Sequence, residues 1–186
     1  WRSSRYAGGN GTDDPLTDLG RELVKRMDAL GLVHDASHLS DRSLRGLLNA
    51  TDRVVMASHS NCRALMPNGA HAKPNQPHLT DETIRELGQR GGMIGLNLLA
   101  AFLHEDPTKA GVSDCVAHVE HVCQVLGHRR AVGLGSDMDG GITAEELPQG
   151  IRRPTDLRKI ADALSDRGWT DDEVRGFAAG NWLEFW

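Results

Sequence analysis

The sequence predicts an α/β fold built from parallel (β/α) units, on three observations. Short apolar, β-branched runs alternate with amphipathic helices, no hairpin signal joins any two runs, and a His or Asp follows three of the four. Strands separated by helices of about 10–15 residues imply βαβ crossovers and hence a parallel sheet.

The elements follow in order. Leu19, Leu23, Val24, Met27 and Leu30 recur at helical spacing, with Thr17 as N-cap and Gly31 just past the end. The run 32–37 (LVHDAS) reads as the first strand. Ser40 caps a helix over 41–49 with Leu44, Leu47 and Leu48 inward, and 53–58 (RVVMAS) is the second strand. A long loop rich in Pro, Asn and Gly spans 67–77. Thr80, Asp81 and Glu82 open a third helix closed by Gly91-Gly92, and 93–99 (MIGLNLL) is a buried-type strand. Ser113 is the expected cap of a helix bearing Val116, Val119, Val122, Cys123 and Leu126, ended by Gly127. The run 131–136 (AVGLGS) is the fourth strand. Helices over 156–167 and from the Thr170–Glu173 capping box complete the chain. Four such units make half of an eight-stranded barrel or a small open sheet.

Composition excludes several function classes. With 186 residues, 39% hydrophobic and 25% charged, the chain is long enough for one domain with its own core. A net charge of -5 argues against nucleic-acid binding. No apolar run approaches the roughly 20 residues of a membrane span. Trp1 to Tyr6 does not lead into the apolar stretch of a signal peptide, and the chain does not begin with Met. Cys62, Cys115 and Cys123 show no CxxC spacing, and Cys115 and Cys123 lie about 12 Å apart on one helix, too far to bridge. Unpaired thiols point to a reducing compartment, with the cytoplasm as the expected one.

In parallel α/β folds the chemistry sits where strands run into the following loops. The first strand leads to His38, the second to His59 and the fourth to Asp137. Strands about 4.8 Å apart allow imidazoles at neighbouring ends to share one ion. Spacing alone leaves two readings open: a metal pair, or histidines satisfied by hydrogen bonds and solvent. Asp137 is placed for acid–base chemistry, amine binding or metal binding, whereas Asp139-Gly140-Gly141 reads as a tight turn. His118 and His121 lie mid-helix and read as structural, as does His34 inside its strand. His71, His78, His104 and His128 fall in loops, and Trp182 and Trp186 are expected to pack. There is neither a phosphate loop nor a nucleophile elbow.

The segments LTDLGRELVKRMDALGLVHDASHLSD, ASHSNCRAL, LTDETIRELGQRGGMIGLN, AVGLGSDMDG and GNWLEFW resemble, in order and spacing, the membrane (renal) dipeptidase family. That resemblance implies a zinc-dependent hydrolase of dipeptides on a TIM-type (β/α)8 barrel, with this chain as its C-terminal half. Residues 1–186 would then form a single partial-barrel domain of the last four βα units plus C-terminal helices. It implies that His38 and His59 bind one of two zinc ions and that Asp137 is catalytic. The family's His-x-Asp strand, its metal-bridging glutamate and a substrate-binding histidine have no counterpart here. Where the family often carries an arginine for the substrate carboxylate stands Gln76-Pro77-His78, with Lys73 the nearest cation. A lysine supplies a point charge but no bidentate clamp.

The expected function is therefore hydrolysis of a small peptide substrate by zinc-activated water, weak or absent in this chain alone because a catalytic zinc normally has three protein ligands. Two alternatives accompany it. One is a non-catalytic half-barrel module that pairs with itself or with a partner half-barrel. The other is a related amidohydrolase with a different amide or ester substrate.

Overall fold

The computed structural model describes residues 2–66 and 78–186. Helix α1 (Asp18–Ala29) starts where the Thr17 hydroxyl accepts the Gly20 N–H, and ends at Gly31, whose φ of 69° no β-branched residue would tolerate. Strand β1 (His34–Asp35) leads to α2 (Asp41–Ala50), capped by Ser40. Strand β2 (Val55–Met56) is followed by β3 (Asn61–Cys62), β4 (His78–Leu79) and α3 (Asp81–Gln89), capped by Thr80. Next come β5 (Ile94–Leu96), α4 (Ala100–Leu103), α5 (Val112–Leu126) and β6 (Val132–Leu134). Helix α6 (Arg158–Asp166) precedes α7 (Asp171–Arg175), which runs through a π-helical turn at Gly176–Gly180 into α8 (Asn181–Phe185).

The strands pair in parallel, as the helical connections require. β1 lies beside β2, Ala57 at the end of β2 bridges Ile94 of β5, and β5 lies beside β6. This register puts Val55, Ala57, Ile94, Leu96 and Val132 on the face that joins Leu47, Ile84, Leu87, Val116, Val119 and Val122 in one continuous core. Asp35, Met56, Gly95 and Gly133 alternate onto the other face. No helix among the described residues is long and apolar enough to cross a membrane.

Several details differ from the sequence expectations, among them Trp186, expected to pack but 73% exposed at the end of α8. Each ladder is only two or three residues long, because the chain bends out of the sheet at the strand ends. Beyond the ladders, single bonds such as Ala36 N–H to Met56 O (2.8 Å) and Gly135 N–H to Leu96 O (3.1 Å) continue the pairing. The β3–β4 pair was not foreseen, and it places His78, expected in a loop, in a buried strand. Helix α5 is capped at Gly111 rather than Ser113, because the Asp114 carboxylate takes the Gly111 N–H (2.8 Å). The apolar stripe of α1 is covered only in part: Val24 is buried, while Leu19, Leu23 and Leu30 are 42%, 38% and 75% exposed. Helix α1 lies against α2 with Gly20 and Val24 as its buried residues, and Gly20 is covered by Tyr6 and Leu16, which leaves the leucines outside the contact. The expected loop over 67–77, with His71 and Lys73, lies outside the described residues.

The C-terminal helix closes the edge of β6. Ala131 O accepts from Ile94, so the carbonyls of Val132 and Leu134 face away from β5. Asn181 Nδ2 donates to Val132 O (2.7 Å) and Arg129 O (2.9 Å), and Trp182 Nε1 donates to Leu134 O (2.9 Å). Side chains thus occupy acceptors that another strand would otherwise use. Replacing Asn181 by alanine is expected to lower stability by about 1–3 kcal/mol, since it leaves edge carbonyls unmatched. Urea unfolding followed by circular dichroism checks this; an unchanged midpoint would make the cap dispensable.

Candidate metal centre

His38, His59 and Asp137 converge at the C-terminal ends of β1, β2 and β6. Their ligating atoms lie within 4.8 Å of one another, and the two Nε2 atoms are 2.8 Å apart. The rings sit 4.7 Å apart between centroids at 60°. Among the described residues this is the one group of three side chains suited to a metal ion.

Each side chain is aimed by its backbone. His38 has φ 67° and Asp137 φ 57°, left-handed conformations that non-glycine residues seldom adopt, and that carry strain of about 1–3 kcal/mol each. At His38 the turn is held by Asn10 N–H to His38 O (2.8 Å) and Leu39 N–H to Ala36 O (3.1 Å). At Asp137 it is held by Gly140 N–H to Asp137 O (3.0 Å). A Cβ on Gly140 would stand 2.1 Å from Asp137 Oδ1, so the turn needs a bare residue there. His59 reaches the centre differently. Its chain crosses the neighbouring strand ends so closely that a Cβ at Gly95 or Gly135 would lie 1.9 or 2.0 Å from Ser58 O.

Polar groups hold the three side chains from behind: Asn61 and Asn97 are buried, Ser37 and Ser58 half-buried, and Asp35 lies at the surface. Ser58 Oγ lies 2.7 Å from His59 Nδ1 and donates to Asp35 Oδ2 (2.5 Å), while Asp35 Oδ1 accepts the N–H groups of Ser37 (2.9 Å) and Ser58 (3.0 Å). Burial alone pushes the Asp35 carboxyl up, but these bonds from Ser58 and Ser37 together outweigh it and hold it below the usual carboxylate range. Burial, followed by the neighbouring His59, depresses the His38 imidazole and favours its neutral, ligating form. Asn97 Nδ2 donates to Asp137 Oδ2 (3.1 Å). Asn97 is itself clamped by Asn61, which accepts its N–H (3.0 Å) and donates to its carbonyl (3.1 Å).

The other candidates lie elsewhere. His34 pairs with Asp28 (2.7 Å) and His121 with Asp81 (2.8 Å). His118 accepts the Cys62 N–H (3.1 Å), and burial pushes it down to about 4, neutral in any ordinary medium. Asp139, with φ 66°, forms the turn. Burial raises all three thiols, Cys115 and Cys123 to about 12, which makes them poor metal ligands at neutral pH. Asn61, Asn97, Gly95 and Gly135 escaped the sequence reading. The signal at Asn97, Gly95 and Gly135 was a polar or bare residue inside an otherwise apolar strand, where a glycine marks a close backbone approach; Asn61, in the polar run SHSN, gave none.

The family model of the membrane dipeptidases (peptidase family M19) matches residues 2–186. The chain belongs to this family. The dipeptidase aclJ of Aspergillus oryzae is 29% identical over 185 residues, covering 97% of this chain and 41% of that protein. An uncharacterized dipeptidase of Schizosaccharomyces pombe is 26% identical over 178 residues, covering 96% and 41%. Among solved structures, a metallopeptidase from Rhodobacter sphaeroides, liganded with a phosphinate mimic of the dipeptide L-Ala-D-Ala, is 30% identical with a TM-score of 0.82, over 97% of this chain and 49% of that one. The chain thus spans 41% of these two curated relatives and about half of the solved enzyme. The M19 peptidases are metal-dependent hydrolases of the dipeptidase type, and this chain carries a His-His-Asp group fit for a metal.

Gly95→Ala tests how the site is positioned. The added methyl must displace the Ser58 carbonyl, with an expected stability loss of about 1–3 kcal/mol for overpacking and altered His38 and His59 ring resonances. An unperturbed imidazole spectrum would show that the close crossing does not place His59.

Proposed function

We propose that this chain carries one metal half-site of a zinc-dependent dipeptidase, as the C-terminal half of a (β/α)8 barrel. The observation that carries the reading is the pair of imidazole Nε2 atoms 2.8 Å apart with the Asp137 carboxylate beside them. Two imidazoles and a nearby carboxylate suit a borderline divalent ion such as zinc. When bound, such an ion polarises the scissile carbonyl and acidifies a water to near neutrality.

His38 and His59, whose Nε2 atoms face each other, would hold the ion. Asp137 takes the proton of the attacking water, returns it to the leaving amine nitrogen, and holds the substrate's amino group. The substrate class follows from the family and from the L-Ala-D-Ala mimic in the Rhodobacter sphaeroides enzyme. Ligands of the second zinc expected from the resemblance are assigned to polypeptide outside this chain.

The exposed leucines of α1 favour a second reading, a half-barrel module that pairs with another copy or with a partner half. Leu19, Leu23, Leu30 and Leu32 form an exposed apolar surface on α1 and the approach to β1, the last strand on that side among the described residues. Sedimentation velocity separates the outcomes: reversible association supports the module, and a strict monomer at high concentration contradicts it.

Calorimetric titration with Zn²⁺ tests the metal reading. One equivalent is expected to bind. His59→Ala should weaken it roughly 100-fold, or about 2.8 kcal/mol. Asp137→Asn should retain the ion while abolishing any L-Ala-D-Ala hydrolysis. Unchanged affinity in His59→Ala overturns the half-site, and loss of the ion in Asp137→Asn makes Asp137 a ligand rather than the proton carrier.

A further inference from the structure

We propose that Ser58 and Asp35 are positioning residues that fix the tautomer of His59, so that it presents an unprotonated Nε2 to the cation. The inference rests on the metal reading above and goes beyond it by assigning two residues that touch neither metal nor substrate.

Protons can be counted along the hydrogen bonds that join Asp35, Ser58 and His59, with Ser37 Oγ as a side branch 3.3 Å from Ser58 Oγ. The Asp35 carboxylate accepts two backbone N–H groups on Oδ1, from Ser37 at 2.9 Å and Ser58 at 3.0 Å. A carboxylate so placed is an acceptor, so at Oδ2 it takes the hydroxyl proton of Ser58 (2.5 Å). A serine hydroxyl has one proton. With it committed to Asp35, Ser58 Oγ faces His59 Nδ1, 2.7 Å away, as an acceptor only. The ring proton of a neutral His59 must therefore sit on Nδ1, which leaves a lone pair on Nε2.

The far end of the line agrees. Nε2 of His59 lies 2.8 Å from Nε2 of His38, and one of the two must lack a proton. On the other side of His38, Asn10 Nδ2 stands 3.4 Å from Nδ1. An amide N–H there leaves the His38 proton on Nε2, donated to the bare Nε2 of His59. Each of the four bonds, from Asn10 through both imidazoles and Ser58 to Asp35, then has one donor and one acceptor. His59 is the ring already prepared for metal, and His38 is the ring that gives up or relocates a proton on binding.

The backbone shows that the arrangement is built in. Ser58 N–H anchors to the same carboxylate independently of its side chain, and Ser37 Oγ accepts the His59 N–H (3.1 Å). Removing the Ser58 hydroxyl should therefore release the ring without releasing the chain. Partners that orient a metal-bound histidine change metal affinity by about 10–100-fold when removed.

The test uses the full chain with two readouts. Co²⁺ affinity, measured by competition with a chromophoric chelator, should fall about 10–100-fold in Ser58→Ala and Asp35→Asn and stay within about threefold of the parent in Ser58→Thr, which keeps the hydroxyl. In the metal-free chain, ¹⁵N shifts of the neutral His59 ring should report the Nδ1–H tautomer in the parent and Ser58→Thr, and a mixture in Ser58→Ala. Dispersed amide spectra identify folded variants, and if Ser58→Ala does not fold, Asp35→Asn and Ser58→Thr carry the comparison. Unchanged Co²⁺ affinity in folded variants lacking either partner overturns the proposal, as does a parent with the proton on Nε2. A parent that binds no Co²⁺ yet shows the Nδ1–H tautomer would refute the metal reading while leaving the tautomer assignment standing.

Discussion

Two imidazole nitrogens 2.8 Å apart, both Nε2, impose the constraint around which the rim is organised. Two N–H groups cannot face each other at that distance, and two bare lone pairs repel unless a proton or a cation lies between them. Everything adjacent follows from satisfying that pair. Ser58 and Asp35 set the protonation of one ring, Asn10 faces the other, and a carboxylate stands close by on Asp137. The arrangement is also one that a divalent ion can replace without rebuilding the backbone.

Holding the pair in place is a matter of bending the chain at strand ends. Left-handed residues at His38 and Asp137 turn two loops inward, and bare glycines at 95 and 135 let a third pass across the neighbouring strands. These conformations are unfavourable by themselves, and the hydrogen bonds at Asn10, Gly140, Asn61 and Asn97 counter the strain. Short ladders are the structural consequence. Below the rim the sheet is ordinary, with Val55, Ile94 and Val132 packed on the helices.

The parallel α/β class and the helix caps at Thr17, Ser40, Thr80 and Thr170 were legible in the sequence, because they rest on local chemistry: apolar periodicity, side-chain oxygens and terminal glycines. The convergence of His38, His59 and Asp137 was legible through their shared place after strands and through the family resemblance of the surrounding segments. The supporting shell was not. Asn97 reads as one polar residue in an apolar run, and its partner Asn61 lies 36 residues away in sequence, so nothing local announces the pair. The β3–β4 strands were equally hidden, since two residues each leave no periodicity to detect. The α1 leucines show the opposite failure: helical spacing located the stripe, but not how much of it a neighbour covers.

The exposed α1 leucines and the His-His-Asp group separate two questions that activity assays merge. One is whether a hydrolase assembles. The other is whether this chain already owns a cation site. X-ray absorption at the zinc edge, on the chain loaded with one equivalent of zinc, answers the second directly. The account predicts two imidazole rings with nitrogens at about 2.0–2.1 Å from the metal. A shell of oxygen ligands without imidazole scattering would contradict it.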